Sequence, residues 1–430
     1  MKDNWIQSPI NEVTSLIKDG THGTHKDFSN GIPMLSAKDI VGGKILIPDD
    51  ARLISEADFL QIHKSYKLQE NDVLLTLVGT IGRVAILRDY STKFTFQRSV
   101  GILRFNERVN SQYAYYYISS ERFLKDLIRS MNASAQGGVY LGELGKINIS
   151  LPKNLAQQSK IAQILSACDA VIEKTESAIA KYQAIKQGLM HDLFTRGIDI
   201  ATGKLRPKYE DAKHLYKESE LGWIPKEWEV SEIGNILHIK HGYSFEGRYF
   251  SNEKSKYILL TPGNFNVDGS LYFQERNTKY YIGKIPEEFI FKNDDLLIVM
   301  TDLTQDMNIL GNVVKLKSKE QVLHNQRIGK IETKNDEINR DYLLFILNSP
   351  FSKNNIKKTA TGTTVRHTSP NHIYKGIIPI PNVEEQNKFV EQINAIGKKI
   401  QIEKSALLKY QQIKTGLMQD LLSGNVEAKI

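Results

Sequence analysis

Two stretches of this chain carry apolar residues at the three- and four-residue steps that place side chains on one face of a helix. The first stretch has its apolar positions, with Thr175 filling the one gap, at Ile161, Leu165, Cys168, Ile172, Ile179, Tyr182, Ile185, Leu189 and Leu193. The second stretch has them at Phe389, Ile393, Ile396, Ile400, Leu407, Tyr410, Ile413, Leu417 and Leu421. A single narrow apolar stripe is typical of a long helix that packs along a partner helix.

Helix-breaking residues bound both stretches, with Pro152 and Pro381 before them and Gly197 and Gly424 after them. Each predicted helix spans about 40 residues, or roughly 60 Å. A helix of this length with one apolar stripe is not expected to stay alone in water. We therefore expect an antiparallel pair that carries one globular domain at each end. The alternative is that each helix packs on its own domain.

The chain also repeats itself with a period of about 222 to 229 residues. Ten of the thirteen residues from Lys181 to Leu193 are identical to those from Lys409 to Leu421. Weaker matches upstream keep the same order and pair Trp5 with Trp228, Gly20 with Gly242, Asn71–Leu75 with Asn293–Leu297, Gly82–Val84 with Gly311–Val313, Gln97-Arg98 with Gln326-Arg327, and Tyr115–Ile118 with Leu343–Ile346. The chain is therefore predicted to be two copies of one unit, each a globular domain followed by a long helix.

The globular part of each copy mixes short β-type runs, such as Val73–Val78 and Leu296–Met300, with helical stretches, such as 112–129. This mixture predicts an α+β fold in each domain. The predicted boundaries are 1–150 for the first domain, 151–200 for the first helical region, 201–221 for a linker, 222–379 for the second domain, 380–424 for the second helical region and 425–430 for a C-terminal tail.

Charge separates the two kinds of segment. The formal net charge of the chain is +8, but the helical stretches 155–194 (four basic and four acidic residues) and 383–422 (six and five) contribute only +1, so +7 lies outside them. Basic domains on a neutral spacer suit a protein that binds an anion at two places, and nucleic acid is a common partner of this kind. Cys168 is the single cysteine, which excludes an internal disulfide. The polar N-terminus and the lack of a long apolar run predict a cytoplasmic protein with no membrane contact.

Known catalytic motifs are absent from the sequence. It has no glycine-rich loop that holds ATP phosphates, no Asn/Asp-Pro-Pro-aromatic motif of adenine methyltransferases and no Gly-x-Ser-x-Gly nucleophile turn. His22 and His25 lie three residues apart but lack a third metal ligand, so we interpret them as ordinary loop histidines. We therefore predict that this chain has no catalytic site, cofactor or metal of its own.

Several motifs together resemble the specificity subunits of type I restriction-modification systems. They are Leu151-Pro152 with Gln157–Ala162, Ile380-Pro381 with Glu384–Phe389, the Gly-Leu-Met-x-Asp-Leu runs within 187–194 and 415–422, Asp19–Thr24, Asn71–Leu75 with Gly79–Arg83, Gln136–Val139, and Gly222–Pro225 with Trp228. The resemblance covers nearly the whole chain, and the repeated helix is its most specific part. One departure is Gln157, where the family has the Glu that Glu385 keeps in the second copy; we expect it to change only a local capping contact.

The resemblance implies two target-recognition domains, 1–150 and 222–379, each reading one half of a split, asymmetric site in double-stranded DNA. The helices in 151–200 and 380–424 would set the spacing of the domains and carry two modification subunits. Those subunits would bind S-adenosylmethionine and methylate adenine, while restriction subunits, with ATP and Mg²⁺, would translocate and cut DNA. This chain would be the non-catalytic subunit that supplies the choice of sequence to both activities.

Candidate DNA-binding residues lie around a glycine at matching places in the two copies. They are Thr21, His22, Thr24, His25 and Lys26 in the first domain, and Lys240, His241, Tyr243, Ser244 and Arg248 in the second. The two loops differ strongly in sequence while the residues around them persist. We therefore hypothesise that each loop enters a DNA groove; a solvated turn is the alternative.

The recurring pairs Gln97-Arg98 and Gln326-Arg327 carry side chains that can read adenine and guanine. Because the pairs recur in domains of different specificity, we expect them to contact phosphates or brace the fold rather than to read bases. Loops 134–138 and 361–367 correspond in position, and their small residues permit close approach to a phosphate. The candidates that complete the predicted interface are Arg83, Gln136, Thr363 and Arg366.

The two most similar segments, Lys181–Leu193 and Lys409–Leu421, are candidate partner-binding surfaces. Their candidate residues are Lys181, Tyr182, Gln183, Lys186 and Asp192 in the first, and Lys409, Tyr410, Gln411, Lys414 and Asp420 in the second. Polar residues are kept although helix packing does not demand them, and equal surfaces at two places suit two identical modification subunits. The alternative is that a shared packing core alone explains the identity.

Two other functions are compatible with the sequence. One is a non-catalytic two-headed coiled-coil scaffold without DNA specificity. The other is a homologue that binds RNA or a phage component and has lost its modification subunit. Binding to random duplex DNA at low salt distinguishes the first from a DNA reader, and co-purification with a methyltransferase subunit distinguishes the second.

Overall fold

The computed structural model describes residues 4–132, 138–334 and 337–429. The chain divides into two compact units, Met1–Ala178 with Glu403–Ile430 and Ile179–Ile402. Two long helices, Leu155–Thr195 and Val383–Ser423, each contribute one half to each unit. Every unit therefore combines one globular domain with the beginning of one long helix and the end of the other.

The first unit contains an α+β domain. Its shorter helices are Ile10–Val13, Glu56–Ile62, Ser111–Ile118, Glu121–Asn132 and Leu141–Lys146, with a 3₁₀ turn at Ala37–Asp39. Its strands are Trp5–Pro9, Thr14–Asp19, Ile32–Leu35, Ile40–Val41, Lys44–Ile45, Leu53–Ile54, Val73–Thr76, Val84–Ile86, Thr95–Phe96, Val100–Phe105 and Asn148–Pro152. Alternate residues of one buried strand join different cores, Val73 and Leu75 on one side and Leu74 on the other.

The central sheet of the first domain is antiparallel, in the order Thr14–Asp19, Val100–Phe105, Val73–Thr76, Val84–Ile86. The same order recurs in the second domain, as Leu237–His241, Ile328–Thr333, Leu296–Val299, Val313–Lys315. Gly101 lies opposite Asp19 in the first sheet, and Gly329 lies opposite His241 in the second. The internal repeat expected from the sequence is thus a repeat of topology and strand register.

The second unit adds further elements around its central sheet. Its shorter helices are Ile233–Ile236, Arg340–Leu347, Pro350–Thr359 and Pro370–Tyr374, with 3₁₀ turns at Lys213–Leu215, Gly247–Tyr249, Pro262–Asn264 and Glu287–Phe289. Its other strands are Ile198–Asp199, Lys204–Leu205, Tyr216–Ser219, Gly222–Pro225, Glu229–Glu232, Phe250–Ser251, Tyr257–Leu259, Lys279–Tyr281, Thr301–Asp302, Gln321–Leu323, Arg366–His367 and Ile377–Ile380. The stretch 201–221, predicted as a linker, contains the short strands Lys204–Leu205 and Tyr216–Ser219 and the 3₁₀ turn Lys213–Leu215.

The long helices pack antiparallel within each unit, as the sequence predicts. In the first unit, the Asp169 carboxylate lies 2.5 Å from the Lys414 ammonium, and Leu165 shares a core with Leu421. In the second unit, the rings of Phe194 and Phe389 are 6.2 Å apart. Early positions of one helix meet late positions of the other in both units, which defines an antiparallel pair.

Polar residues that are identical in the two copies fasten each long helix to its domain. In the first unit, the Gln158 side-chain oxygen accepts a hydrogen bond from the Asn110 amide at 2.8 Å, and Gln386 accepts one from the Asn339 amide at 2.8 Å in the second. Gln158 also donates to the Pro152 carbonyl at 2.9 Å. These glutamines satisfy backbone groups where the helix leaves the domain, and the sequence motif alone did not reveal that role.

Candidate nucleic-acid interface

In the first domain, the loop that begins at Gly20 lies beside the turn formed by Gln97 and Arg98. The Thr21 amide donates to the Phe96 carbonyl at 2.8 Å, and the Arg98 amide donates to the Thr21 carbonyl at 3.0 Å. A Cβ atom on Gly20 would lie 2.1 Å from the Phe96 carbonyl oxygen, so this approach requires glycine. Two predicted DNA-binding segments, distant in sequence, therefore form one surface.

The second domain repeats this arrangement at Gly242. The Tyr243 amide donates to the His324 carbonyl at 2.8 Å, and the Gln326 amide donates to the Tyr243 carbonyl at 3.0 Å. A Cβ atom on Gly242 would lie 2.1 Å from the Asn325 carbonyl oxygen. The same backbone framework thus presents different side chains in the two domains.

The predicted pairing of Gln97-Arg98 with Gln326-Arg327 is wrong by one residue. The residue whose amide donates to the glycine loop is Arg98 in the first domain and Gln326 in the second. Arg98 therefore corresponds to Gln326, and Ser99 corresponds to Arg327. Because no Gln-Arg pair recurs at equivalent positions, recurrence no longer argues that these residues brace the fold.

The match of Asn71–Leu75 with Asn293–Leu297 is displaced in the same way. Asn71 has a left-handed φ of 71°, and the residue with the matching φ of 67° is Asp294. Their amides donate to the Leu87 and Leu316 carbonyls in equivalent turns. Aligning identical residues gave the wrong correspondence between the two copies here. The backbone hydrogen bonds give the correct one, in which Asn71 is equivalent to Asp294.

In the second domain, Arg327 connects this surface to the predicted segment 361–367. Its Nη1 atom lies 3.3 Å from His367 Nδ1, which is also 3.1 Å from the Thr301 hydroxyl. The strand Arg366–His367 pairs with Thr301–Asp302. Three predicted segments of the second domain are therefore brought together, and Thr363 lies exposed in the last of them.

The matching segment of the first domain is described only from Gly138 onward, so Gln136 lies outside the described residues. Gly138 pairs with Val78 as His367 pairs with Thr301. Arg83 is half-buried, and its guanidinium donates to the Ile40 carbonyl at 3.2 Å. This internal contact occupies Arg83 within its domain.

Carboxylates of the first domain hold the histidines of its loop. His22 Nε2 lies 2.6 Å from the Asp19 carboxylate, and His25 Nδ1 lies 3.1 Å from the Asp58 carboxylate. Hydrogen bonds from Ser55 and then His25 lower the pKa of Asp58 below its usual value. The histidines therefore shape the loop as well as being candidates for DNA contact.

The other candidates of the first loop differ in how they are used. Thr21 shares a hydrogen bond of 3.0 Å with the His25 ring. Thr24 and Lys26 are exposed, and their side chains have no hydrogen bond or ion pair to another described residue. Thr24 and Lys26 are thus the candidates of this loop that are available to a partner.

The loop of the second domain is built on aromatic rings. The Tyr243 ring lies 5.2 Å from the Phe289 ring, and the Lys240 ammonium lies 5.0 Å from the centre of the same ring. The Arg248 guanidinium forms an ion pair of 2.7 Å with Glu246. The exposed candidates without such a contact are His241 and Ser244.

A longer turn in the second domain folds around a buried carboxylate that the sequence did not single out. Asp302 accepts hydrogen bonds from the amides of Ile309 and Leu310 at 2.6 and 3.0 Å. The neighbouring Leu303 is 69% exposed. The extra residues of the second copy are visible in the sequence, but only the structure shows that Asp302 organises them beside Thr301.

Two of the four predicted partner-binding lysines, Lys186 and Lys414, make contacts within a unit. Lys186 lies 5.9 Å from the centre of the Phe345 ring, and Lys414 lies 5.7 Å from the centre of the Tyr116 ring. These cation–π contacts give an internal reason for keeping both lysines. The other predicted residues that pack internally are Tyr182, beneath Lys399 at 5.9 Å, and Asp192, which pairs with Arg196 at 2.9 Å. The exposed predicted residues are Lys181, Gln183, Lys409, Tyr410, Gln411 and Asp420.

Two isoleucines of the predicted packing stripe are instead exposed. Ile185 is 43% exposed and Ile413 is 44% exposed. The prediction that these two isoleucines pack against the partner helix is therefore wrong, and they occupy the same position in the two copies. One turn further along each helix, a Cβ atom on Gly188 or Gly416 would meet nothing within 4 Å. Each helix thus presents an open face with one isoleucine.

Acid is expected to destabilise the second unit through His324. His324 is 1% exposed. Its ring centre lies 4.4 Å from that of the tilted Phe291 ring, and its Nε2 atom lies 2.9 Å from the Ile328 carbonyl oxygen. Burial lowers the pKa of His324 to about 4, although the hydrogen bond opposes this shift. As the pH falls below about 6.5, His324 therefore becomes protonated in the unfolded chain, whereas in the folded chain it stays neutral until about pH 4. Stability is full above pH 6.5 and falls toward pH 4, by up to about 3 kcal/mol.

Thermal unfolding measured between pH 7 and pH 4.5 tests this expectation. Phe96 occupies the place of His324 in the first domain, because each residue accepts the amide that follows the glycine. His324→Phe is therefore the matched variant, and it should flatten the pH dependence of the second unit. An unchanged slope in this variant would show that another group titrates.

Within the described ranges, no helix is long and apolar enough to cross a membrane. The same residues contain no group of three or more His, Cys, Asp or Glu side chains arranged to hold a metal ion.

The chain thus combines two copies of one α+β domain, each with a glycine loop and a facing turn, and a pair of long helices that are antiparallel in each unit. The chain belongs to the family described as the type I restriction modification DNA specificity domain, which matches residues 2–182 and 225–412.

Individual relatives agree with this assignment. The MjaVIII type I restriction enzyme specificity subunit of Methanocaldococcus jannaschii is 25% identical over 385 residues, covering 85% of this chain and 82% of that protein. The MjaIX specificity subunit of the same organism is 24% identical over 437 residues, covering 99% and 94%. The crystal structure of a type I restriction-modification S subunit from M. genitalium shares the fold, with a TM-score of 0.57, 16% identity and coverage of 98% and 97%.

Proposed function

We propose that this chain reads a split, asymmetric sequence in double-stranded DNA, with one half-site for each domain. The observation that carries the proposal is the repeated framework at Gly20 and Gly242, where one backbone arrangement presents different side chains. Two different reading surfaces on one framework suit two different half-sites. The positive charge outside the helices suits a polyanion.

The chemistry is proposed to reside on partner subunits. Modification subunits would bind S-adenosylmethionine and methylate adenine, and restriction subunits would use ATP and Mg²⁺ to translocate and cut DNA. This chain would direct both activities without a catalytic site. The long antiparallel helices would set the spacing between the half-sites and provide the surfaces on which two modification subunits assemble.

Sequencing the methylated adenines of a host with and without this chain tests the proposed function. The expected result is a two-part motif with a fixed gap that disappears when the chain is removed. Methylation that is unaffected by removal would contradict a role in directing modification. Absence of any binding to duplex DNA at low salt would instead favour the two-headed scaffold.

The partner surface is proposed to centre on Ile185 in one unit and Ile413 in the other. In each case a lysine lies one turn before the isoleucine, Lys181 or Lys409, on the same helix face. An exposed apolar side chain beside an open glycine offers a contact that the chain itself does not use. The identity of this face in the two copies is what two identical partner subunits require.

Replacing both isoleucines by glutamate is expected to reduce co-purification of the modification subunit by roughly tenfold or more, because a carboxylate would be desolvated in the interface. The folding of the chain should persist, since both side chains are already half exposed. The matched control is Ile402→Glu, an isoleucine that is 58% exposed on the second helix. Equal losses in the two variants would place the partner elsewhere.

A further inference from the structure

Position 98 of the first domain and position 326 of the second occupy one place in the duplicated fold. Both residues are exposed and lie on the turn before the strands Val100–Phe105 and Ile328–Thr333. Both amides donate to the glycine loop at 3.0 Å. The backbone at this place is therefore the same in the two domains, and the side chain is arginine in one and glutamine in the other.

Residues that support the fold behave differently from this position. The residues that fasten the helices, Gln158 and Gln386, are identical in the two copies and buried. The glycines on which the framework depends are also identical. Residues 98 and 326, in contrast, differ between the copies. Neither side chain has a hydrogen bond or ion pair to another described residue. The fold therefore does not require either residue, and both are available to a ligand.

Neighbouring residues on the same turn are less available. Gln97 and Asn325 are only partly exposed and pair with the glycine loop. Arg327 is directed by His367, whose Nδ1 lies 3.3 Å from its guanidinium. The turn thus offers one unengaged, exposed side chain at the equivalent point of each domain.

We propose that this position reads one base pair in each half-site, a guanine through Arg98 and an adenine through Gln326. The inference rests on the proposed function and adds the specificity-determining residue to it. An arginine fork matches the O6 and N7 acceptors of guanine, and a glutamine amide matches N6 and N7 of adenine. Because one framework holds both residues, exchanging the side chain exchanges the base that is read.

The test uses the chain assembled with its modification subunits and a library of duplexes randomised in both half-sites. Methylation of the selected duplexes reports the preferred base at each position. Arg98→Gln is expected to replace guanine by adenine at a single base pair of the first half-site, with discrimination of roughly 5- to 100-fold. The second half-site should keep its sequence. Gln326→Arg is expected to produce the reciprocal change in the second half-site alone.

Two controls make the outcome decisive. Arg88→Gln removes one exposed arginine of the same domain outside the turn and should leave the preferred sequence unchanged. Arg98→Ala, which removes the fork without offering an amide, should abolish the preference at that base pair.

A uniform loss of methylation with an unchanged sequence preference would show that Arg98 contacts a phosphate. That result would overturn the inference and leave the proposed function intact. A parent complex without any two-part preference would refute the proposed function itself. Co-purification of each variant with the modification subunits, measured beforehand, identifies any variant that has lost its fold.

Discussion

Raising the salt concentration from about 50 to about 200 mM is expected to weaken binding of target duplex DNA by roughly 10³- to 10⁵-fold. The magnitude corresponds to about 6 to 10 phosphate contacts, because each contact releases condensed counterions and the affinity falls steeply with salt. The source of these contacts is the net charge of +7 that lies outside the helical stretches. Lys26, an exposed cation of the first candidate loop, is among the groups expected to make them.

Anisotropy titrations of a labelled duplex at several KCl concentrations measure this slope. Lys26→Gln should reduce the slope by about one contact, because Lys26 is an exposed cation of a candidate DNA-binding loop. Lys398→Gln, an exposed cation on the second long helix, is the matched control and should leave the slope unchanged. Affinity that does not depend on salt would rule out the electrostatic basis of DNA binding.

Replacing Glu385 by alanine is expected to destabilise the second unit by up to about 3–5 kcal/mol, because it removes the buried counterion of a buried guanidinium. The Arg206 guanidinium would keep only the exposed Glu227 carboxylate, 3.6 Å away. Glu385 and Arg206 are buried, and their charged groups lie 2.5 Å apart. The same carboxylate accepts hydrogen bonds from the Trp228 indole at 2.9 Å and the Ile198 amide at 2.7 Å. Gly197, with a φ of +65°, lies so close that a Cβ atom would be 2.2 Å from Glu385. One carboxylate thus joins four parts of the unit.

Denaturant unfolding gives the loss of stability, and hydrogen exchange of the Ile198 amide gives its location. The first copy provides the control, because the buried residue at the place of Glu385 is Gln157, which carries no charge. Gln157→Ala should therefore cost less than Glu385→Ala. Equal costs would mean that the charge of Glu385 contributes nothing beyond its packing.

This contact shows what the family's glutamate does in the copy that keeps it. Gln157 was expected to change only a local capping contact. In the second unit, the equivalent carboxylate neutralises Arg206 and binds the indole of Trp228. Glu385 therefore joins the start of the long helix to segments around Ile198, Arg206 and Trp228, which is more than a helix cap. The sequence alone could not show which residues it contacts.

Helix periodicity predicted the largest elements well. The stripe from Ile161 to Leu193 lies within one uninterrupted helix, Leu155–Thr195. The stop signal at Gly424 is confirmed, since the second helix ends at Ser423 and Gly424 has a φ of +74°. Periodicity could not separate a packed side chain from an exposed one, however. Ile185 and Ile413 fit the stripe and are nevertheless exposed, because the partner helix and domain decide which part of a face is covered.

The candidate interface was predicted in pieces. The glycine loop, the Gln-Arg turn and the 361–367 segment were each identified, but their convergence in the second domain was not. The equivalence of the two turns was also misplaced by one residue. Sequence identity favoured a pairing of Arg98 with Arg327. The backbone hydrogen bonds instead show that Arg98 and Gln326 occupy equivalent positions in the two domains. That difference changes the interpretation of the turn from a shared brace to a variable reading position.

The sequence by itself determined the duplication, the α+β class of the domains, the long helices and their limits. These features depend on local periodicity and on repeated residues, which are properties of neighbouring positions along one chain. Only the tertiary structure decided which residues of the two copies are equivalent, which loops converge within a domain and which side chains remain free. Those features depend on hydrogen bonds such as that from the Arg98 amide to the Thr21 carbonyl, which join residues far apart in sequence. A one-residue shift in strand register moves every side chain of the strand to the other face of the sheet. No local sequence pattern specifies that register.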